Sequence, residues 1–486
     1  MSASNKISLS VLLRVQGYLL LIEGLFMLCV VPVTYFHHGI NAFSIPFSAL
    51  ITVMTGFVLC FSTRKKRGQR INHREGVITI CISWLVLSVF GGLPFLLGKC
   101  VPNFTDAFFE ALSGFTTTGS TILTNLESVP KDILLWRSMT QWLGGLAIIV
   151  FAVAIIPFLS VGGMQLFMAE MNGINYDKLH PRTMHTAKRL WGLYLFFTLM
   201  EVFLLHLGDM DWFDAVCHSM TTISSGGFST RTNSLAGYSN YTQIVVIFFM
   251  ALSGCNFTLL LISLVRSPLA LFKNEEFKHF IYMILAVSVA LALALIFMVN
   301  MPVSSALRSS FFHVVSMLTT TGFFVSDFTL WPTGLWAVLF LLMFIGACSG
   351  STSGGVKIIR HLIFTKNAVL ELKRILHPNA VLPVKINGKA ISKNVMFKTL
   401  TFVFVFFFVF VMGTIILLSM GLDFNTSIGA SLATLSNLGT GVGAVGPYGN
   451  YAFLPLSVKW ILSLFMLMGR VELFTLISVF SKNFWK

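Results

Sequence analysis

Apolar runs of about twenty residues, long enough to cross a bilayer, recur along the whole chain. The first five lie near Val11–Phe36, Phe43–Phe61, Val77–Leu97, Gln141–Leu159 and Leu190–Leu207. The rest lie near Tyr241–Val265, Phe280–Asn300, Leu335–Ile345 with a continuation, Val395–Met420 and Leu456–Phe480. The pattern predicts about ten transmembrane helices. From Val77 onward it repeats four times: a span, a short capped helix, a string of polar residues closed by glycine, and a second span.

The strings are Thr116-Thr117-Thr118-Gly119, Ser224-Ser225-Gly226-Gly227, Thr319-Thr320-Thr321-Gly322 and Ser436-Asn437-Leu438-Gly439. A good helix-capping residue (Asp106, Asp214, Ser309, Thr426) stands 13 residues before each closing glycine, so those four residues are expected to start the short helices. The glycines are 108, 95 and 117 residues apart, too far for a solenoid repeat. The expected units are 1–76 (a transmembrane hairpin and a basic loop), then four repeats over 77–188, 189–278, 279–394 and 395–486. The fold class is therefore an all-α integral membrane protein with pseudo-fourfold symmetry around one pore.

Composition agrees with the membrane reading. Charged residues make up 10% of the 486, against about a quarter in a soluble domain, and the mean hydropathy is +0.83. The net charge of +15 does not point to nucleic acid, because the basic residues cluster between spans. Arg64-Lys65-Lys66-Arg67, then Lys178, Arg182, Lys188 and Arg189, then Arg266, Lys273 and Lys278, then Lys366, Lys373, Arg374, Lys385, Lys389 and Lys393 all fall on one side if every string enters from the other. That is the positive-inside pattern. It predicts cytoplasmic termini and outward-facing strings, whose side carries Asp106, Glu110, Asp209, Asp211 and Asp214. The amino-terminal apolar stretch lacks a small-residue cleavage site and is expected to stay as the first span. The seven cysteines show no metal-ligand spacing and read as small hydrophobes.

A short helix that enters the membrane and returns as loop exposes carbonyls at depth, which is tolerated only where they line a cavity or are buried in protein. Four such loops on one axis build that cavity themselves. Hydroxyls add oxygen donors, glycine lets carbonyls turn inward, and four helix carboxyl ends point the same way. A dehydrated monovalent cation is the natural occupant.

At this point the chain resembles the TrkH/KtrB superfamily of bacterial potassium-uptake proteins over its full length. Other matching stretches are Gln141-Trp142-Leu143-Gly144-Gly145, Gly254-Cys255-Asn256-Phe257 and Gly346 to Lys357. The leading hairpin is similar to that of the TrkH/TrkG branch. The resemblance implies that the sixteen string residues form a selectivity filter for K+, the permeant ion, and the presence of all four closing glycines favours potassium over sodium. It also implies a homodimer in a bacterial inner membrane, set in lipid and bound below by a TrkA-like nucleotide-binding ring. No nucleotide motif with the required strand context occurs in this chain.

Two further features lie below the strings. Gly346 to Gly355, with Gly350, Ser351, Thr352, Ser353 and Gly354 inside it, interrupts a span with residues that disfavour helix. The resemblance makes this stretch, with Lys357 after it, an intramembrane gating loop; the plain reading is a small-residue packing contact. Arg470 stands in an otherwise apolar span beside Glu472, and an intramembrane arginine requires a cavity or a partner. Facing a cation pathway it forms an electrostatic barrier; the plain alternative is a pair with Glu472, although residues two apart do not face each other on a helix. His218 and His313 read as packed or hydrogen-bonded residues, Glu23 as a packing or interfacial group, and Lys357 and Arg360 also fit plain positive-inside charge. A transporter coupling K+ to H+ or Na+ is the alternative mechanism, but few acidic residues interrupt the spans. The motifs of an intramembrane enzyme are missing.

Overall fold

The computed structural model describes residues 8–36, 43–63, 73–154, 179–265, 267–380 and 382–485. The chain opens with α1 (Leu9–Phe36) and α2 (Ser44–Ser62). These two pack closely because glycines face each other: a Cβ added to Gly17 would lie 3.0 Å from the Gly56 carbonyl oxygen, and one on Gly56 2.9 Å from that of Gly17. Small residues of this kind let helix backbones approach in lipid, where no hydrophobic force pushes them together. The hairpin is tied to the next helix, α3 (His73–Gly91), by Gln16, whose Nε2 donates to Ser83 Oγ at 3.0 Å.

After α3 come α4 (Leu93–Leu97), α5 (Phe104–Phe115) and α6 (Lys131–Ala154). There follow α7 (Leu179–His206), α8 (Trp212–Ile223), α9 (Asn240–Ser253) and α10 (Phe257–Val265). A short α11 (Leu269–Lys273) leads to α12 (Glu275–Val299), α13 (Val303–Leu318), α14 (Thr333–Leu342) and α15 (Ile358–Leu376). A two-stranded hairpin, β1 (Lys385–Ile386) and β2 (Lys389–Ala390), precedes α16 (Lys393–Ser419) and α17 (Phe424–Leu435). The chain closes with α18 (Leu456–Val471), α19 (Leu473–Phe480) and α20 (Lys482–Trp485).

The expected all-α membrane architecture holds. Among the described residues six helices are each long and apolar enough to cross a membrane, and two bent pairs bring the number to eight. The 24-residue α6 and the interrupted α14–α15 pair occupy the other two positions of the expected ten. The bends correct the sequence reading, which treated 241–265 and 456–480 as continuous. The α9–α10 pair turns by 98° and the α18–α19 pair by 114°. At the second break Glu472 has a positive φ of 67°, a conformation that no helix continues through. The basic cluster at 64–67, Lys178, Arg266 and the end of the fourth expected span fall outside the described residues.

Lipid-facing and protein-facing residues separate cleanly on α16. Phe397, Phe404, Phe408, Val411 and Ile415 are exposed, while Thr399, Phe402, Phe406, Gly413 and Leu417 are buried. Spacing of three and four residues puts each set on one face. The small and hydroxyl residues face inward, where close packing needs them.

Candidate ion pathway

The short helices preceding the strings are α5, α8, α13 and α17, of 12, 12, 16 and 12 residues. Their caps lie earlier than the sequence reading placed them. Asn103, Asp211 and Asp423 are the capping residues, and their side chains accept from the N–H groups of Asp106, Asp214 and Thr426. In the third copy the helix starts after Pro302, so Ser309 is an interior residue. The error has a simple cause: two capping-type residues stand three apart, and the first one has the extended backbone that a cap needs.

All four helices end identically. The first string residue (Thr116, Ser224, Thr319, Ser436) is the C-cap, and the second (Thr117, Ser225, Thr320, Asn437) is left-handed, with φ of 51°, 54°, 54° and 54°. The next two N–H groups bond back into the helix. In the first copy Thr117 donates to Gly114 at 2.9 Å and Thr118 to Ser113 at 2.8 Å; the same pair recurs from Ser225 and Gly226, Thr320 and Thr321, and Asn437 and Leu438. This is a Schellman closure, which ordinarily has glycine at the left-handed position. A Cβ-branched threonine held there costs of order 1–3 kcal/mol, and two of the four copies carry one.

Glycine comes two residues later, at Gly119, Gly227, Gly322 and Gly439, with φ of 85°, 75°, 81° and 82°. The glycines are also crowded. A Cβ on Gly119 would overlap the Gly226 carbonyl oxygen, one on Gly227 that of Thr321, one on Gly322 that of Leu438, and one on Gly439 that of Thr118. Each glycine thus lies against the third residue of the next string, and the fourth string returns to the first. The four strings form one closed ring.

This contact explains the odd residues at the third position. Leu438 contributes its carbonyl to the ring, so an apolar side chain, fully buried, does no harm there. Gly226 leaves room for Gln141, whose Nε2 donates to the Gly226 carbonyl at 2.7 Å and whose Oε1 accepts from the Phe228 N–H at 3.0 Å. Thr118 and Thr321 pair with Thr116 and Thr319 through hydroxyls 2.8 Å apart. Asn437 spans two elements: its Nδ2 donates to Thr118 Oγ1 and to the Met466 carbonyl, both at 2.9 Å.

One side of the ring opens on a cavity of about 70 Å³ with all four glycines in its wall. Arg137 lines this cavity, and it and Lys459 form buried ion pairs that the sequence reading did not identify. Arg137 meets Glu110 at 2.7 Å, donates to the Ser229 carbonyl at 2.9 Å and lies over the Phe228 ring. Lys459 meets Asp106 at 2.6 Å, joining α18 to α5. Thr232 bonds Glu127 through its N–H and hydroxyl; burial raises that carboxyl's pKa, but the Thr232 hydrogen bonds outweigh it and hold the group below the usual range.

The opposite side of the ring is covered by the segment between α14 and α15. Residues 346–355 form a loop closed by the pairing of Ile345 with Val356, with Gly350 and Gly355 at positive φ. Thr352 Oγ1 lies 2.8 Å from Ser225 Oγ, and the Gly354 N–H donates to Thr320 Oγ1 at 2.7 Å. Gly354 is so close to the Ser436 carbonyl that a Cβ would overlap it. The loop therefore touches the second, third and fourth strings.

Three charged groups hold it. Glu276 accepts from Ser349 through its N–H at 2.6 Å and its hydroxyl at 2.8 Å. Lys357, the N-cap of α15, donates to the Ser353 carbonyl and to Ser353 Oγ. Arg470 donates from Nη1 to the Thr352 carbonyl and from Nη2 to the Gly144 carbonyl, each at 2.9 Å. Its neighbour Glu472 instead pairs with Arg360 at 2.9 Å, so the Arg470–Glu472 pair does not form. Arg360 is itself buried over the Phe402 ring, and so is not the plain surface charge that the sequence allowed.

The bland readings of the histidines fit their surroundings. His218 contacts the Asp214 carbonyl and Ser229 Oγ, and His313 the carbonyls of Ser309 and Ser326. Among the described residues, Glu23 on α1 and Glu201 on α7 are carboxylates well inside spans, and both are fully buried.

A family model described as TrkH, a cation transport protein, matches residues 42–486. The Trk system potassium uptake protein TrkH of Escherichia coli (strain K12) is 40% identical over 444 residues, covering 90% of this chain and 91% of that protein. TrkG of the same strain is 34% identical over 488 residues, covering 99% and 100%. The crystal structure of the potassium transporter TrkH from Vibrio parahaemolyticus superimposes with a TM-score of 0.88 at 33% identity, covering 98% of this chain and 99% of that one.

Proposed function

The chain belongs to the TrkH family of cation transport proteins, and from that premise we propose that it is the membrane subunit of a Trk-type potassium-uptake system, working as a gated channel. The observation that carries the mechanism is the closed ring of four strings. Carbonyl and hydroxyl oxygens of Thr116 to Gly119, Ser224 to Gly227, Thr319 to Gly322 and Ser436 to Gly439 replace the hydration shell of K+, and their number and field strength set selectivity. Four helix carboxyl ends add negative potential at the same place. No covalent chemistry is required. The ring is assembled from four units, 77–188, 189–278, 279–394 and 395–486, behind the amino-terminal hairpin.

In this reading Gly346–Gly355 is the gate and its contacts with three strings are the closed state. Arg470 holds the loop through Thr352 and places a positive charge on the cation path. Lys357 joins the loop to the start of α15, so a pull on α15 is transmitted to Ser353. The far end of α15 and the β1–β2 hairpin carry Lys366, Lys373, Arg374, Lys385 and Lys389. Lys366 pairs with Glu275 at the head of α12. This basic face suits a cytosolic TrkA-like regulatory ring, with both termini on the same side and the chain working as a homodimer in the inner membrane.

The test is reconstitution in liposomes with independently imposed K+ and H+ gradients. Flux of K+ that follows its own electrochemical gradient and ignores the H+ gradient is expected. Accumulation of K+ driven by H+ beyond that gradient would overturn the channel in favour of coupled transport.

A further inference from the structure

The four glycine carbonyls of the ring are not equivalent. The Gly322 carbonyl accepts a hydrogen bond from Thr440 Oγ1 at 2.6 Å, and the Gly439 carbonyl accepts one from Tyr451 Oη at 2.8 Å. Among the described residues the Gly119 and Gly227 carbonyls accept none. Both donors are firmly seated. Thr440 follows the fourth string directly and reaches across to the third, and its own N–H is bonded to the Leu438 carbonyl at 3.1 Å. Tyr451 is buried, its ring lies 5.6 Å from that of Phe109, and its N–H donates to the Thr121 carbonyl at 2.8 Å. Thr440, Tyr451 and all four glycines line the same cavity.

A carbonyl oxygen has two lone pairs, and a hydroxyl proton close to one of them competes with a cation and fixes the direction of the dipole. The cavity end of the ring thus has two free carbonyls, on the first and second strings, and two tethered ones, on the third and fourth. We propose that Thr440 and Tyr451 are positioning residues for ion discrimination, weakening the oxygen field at Gly322 and Gly439 so that the ring does not favour a cation smaller than K+. This rests on the reading of the strings as a filter. Its sign follows from electrostatics: a stronger field at a coordinating oxygen favours the smaller ion, whose closer approach repays its larger dehydration cost. Removing either donor therefore shifts preference toward Na+.

The experiment measures Rb+ and Na+ uptake into proteoliposomes at one fixed membrane potential, with the full chain as wild type, Thr440→Val, Tyr451→Phe and Thr440→Ser. Thr440→Val and Tyr451→Phe should lower the Rb+/Na+ uptake ratio about threefold or more. Thr440→Ser keeps the hydroxyl and should keep the wild-type ratio. An unchanged ratio in Thr440→Val, with intact Rb+ uptake and a single monodisperse peak in detergent, overturns the proposal even if Tyr451→Phe misfolds. A wild type that does not discriminate between the ions overturns the filter reading as well, and is told apart because no substitution is involved.

Discussion

Arg470 and Thr352 are joined by a hydrogen bond of 2.9 Å between a guanidinium on the last turn of α18 and a backbone carbonyl of the 346–355 loop. The bond connects two features that lie 118 residues apart in sequence. A hydrogen bond to a charged group is worth about 1.5–3 kcal/mol, and about 1.4 kcal/mol is tenfold in an equilibrium. Arg470→Ala removes the bond and the positive charge together, so K+ flux in liposomes should rise about tenfold or more. Unchanged flux through a folded variant would sink the gating role.

Glu276 anchors the same loop from the opposite flank by accepting from both the N–H and the hydroxyl of Ser349. Glu276→Gln removes the charge and one acceptor site while keeping the shape. K+ flux should increase several-fold, less than for Arg470→Ala, because the Lys357 and Arg470 contacts remain. Glu275→Gln is the control: it breaks the pair with Lys366 but does not touch the loop, and any equal rise there would assign the effect to general loosening.

The Lys459–Asp106 pair, with both side chains about one-twentieth exposed or less, ties α18 to α5. Removing one partner of a buried pair leaves an uncompensated charge and costs about 3–5 kcal/mol, whereas replacing both by apolar groups costs far less. Lys459→Met should lower the unfolding midpoint in detergent markedly, and Lys459→Met with Asp106→Leu should recover much of the loss. Additive losses in the double variant would show that the two charges act separately.

Glu23 and Glu201 are the acidic groups best placed for coupling to protons, each buried in a span. A channel needs neither as a proton carrier. Glu23→Gln and Glu201→Gln, which keep shape and lose titration, are expected to leave the K+ flux within about twofold of wild type and its indifference to pH gradients unchanged. Loss of a proton-dependent component in either variant would revive coupled transport.

Much of the architecture was legible because spans and strings have strong local signals: about twenty apolar residues for a helix, and hydroxyls with glycine for a loop. The apolar runs and the interruption at 346–355 could be read directly, but two of the runs are bent pairs, and α6 and α7 start at Lys131 and Leu179, well before the apolar runs that predict them. What escaped is non-local. Asp106 and Asn103 are both capping residues, and only the backbone at Asn103 decides between them. The bends after Ser253 and Val471 fall at short polar interruptions, Gly254-Cys255-Asn256 and Glu472, that a count of apolar residues passes over; Asn256 caps α10 by accepting from the Leu259 N–H, and Glu472 has a positive φ. Gln141, Thr440, Tyr451 and Glu276 each act on a residue in another unit or at a distance along the chain, and no spacing rule connects Glu276 to Ser349 or Gln141 to Gly226. Arg470 stood out because charge in a span is rare, but its partners were invisible from its neighbours in sequence.

The return of the fourth string to the first means that the ring closes only at the end of synthesis. Asn437 meets Thr118 across 319 residues of chain, and a ribosome delivers these residues to the membrane in sequence order. Three walls are made before the last one exists, and the ring of carbonyls stays open until Gly439 has been inserted. A chain cut short before that point has no complete ring, and its carbonyls face an open side.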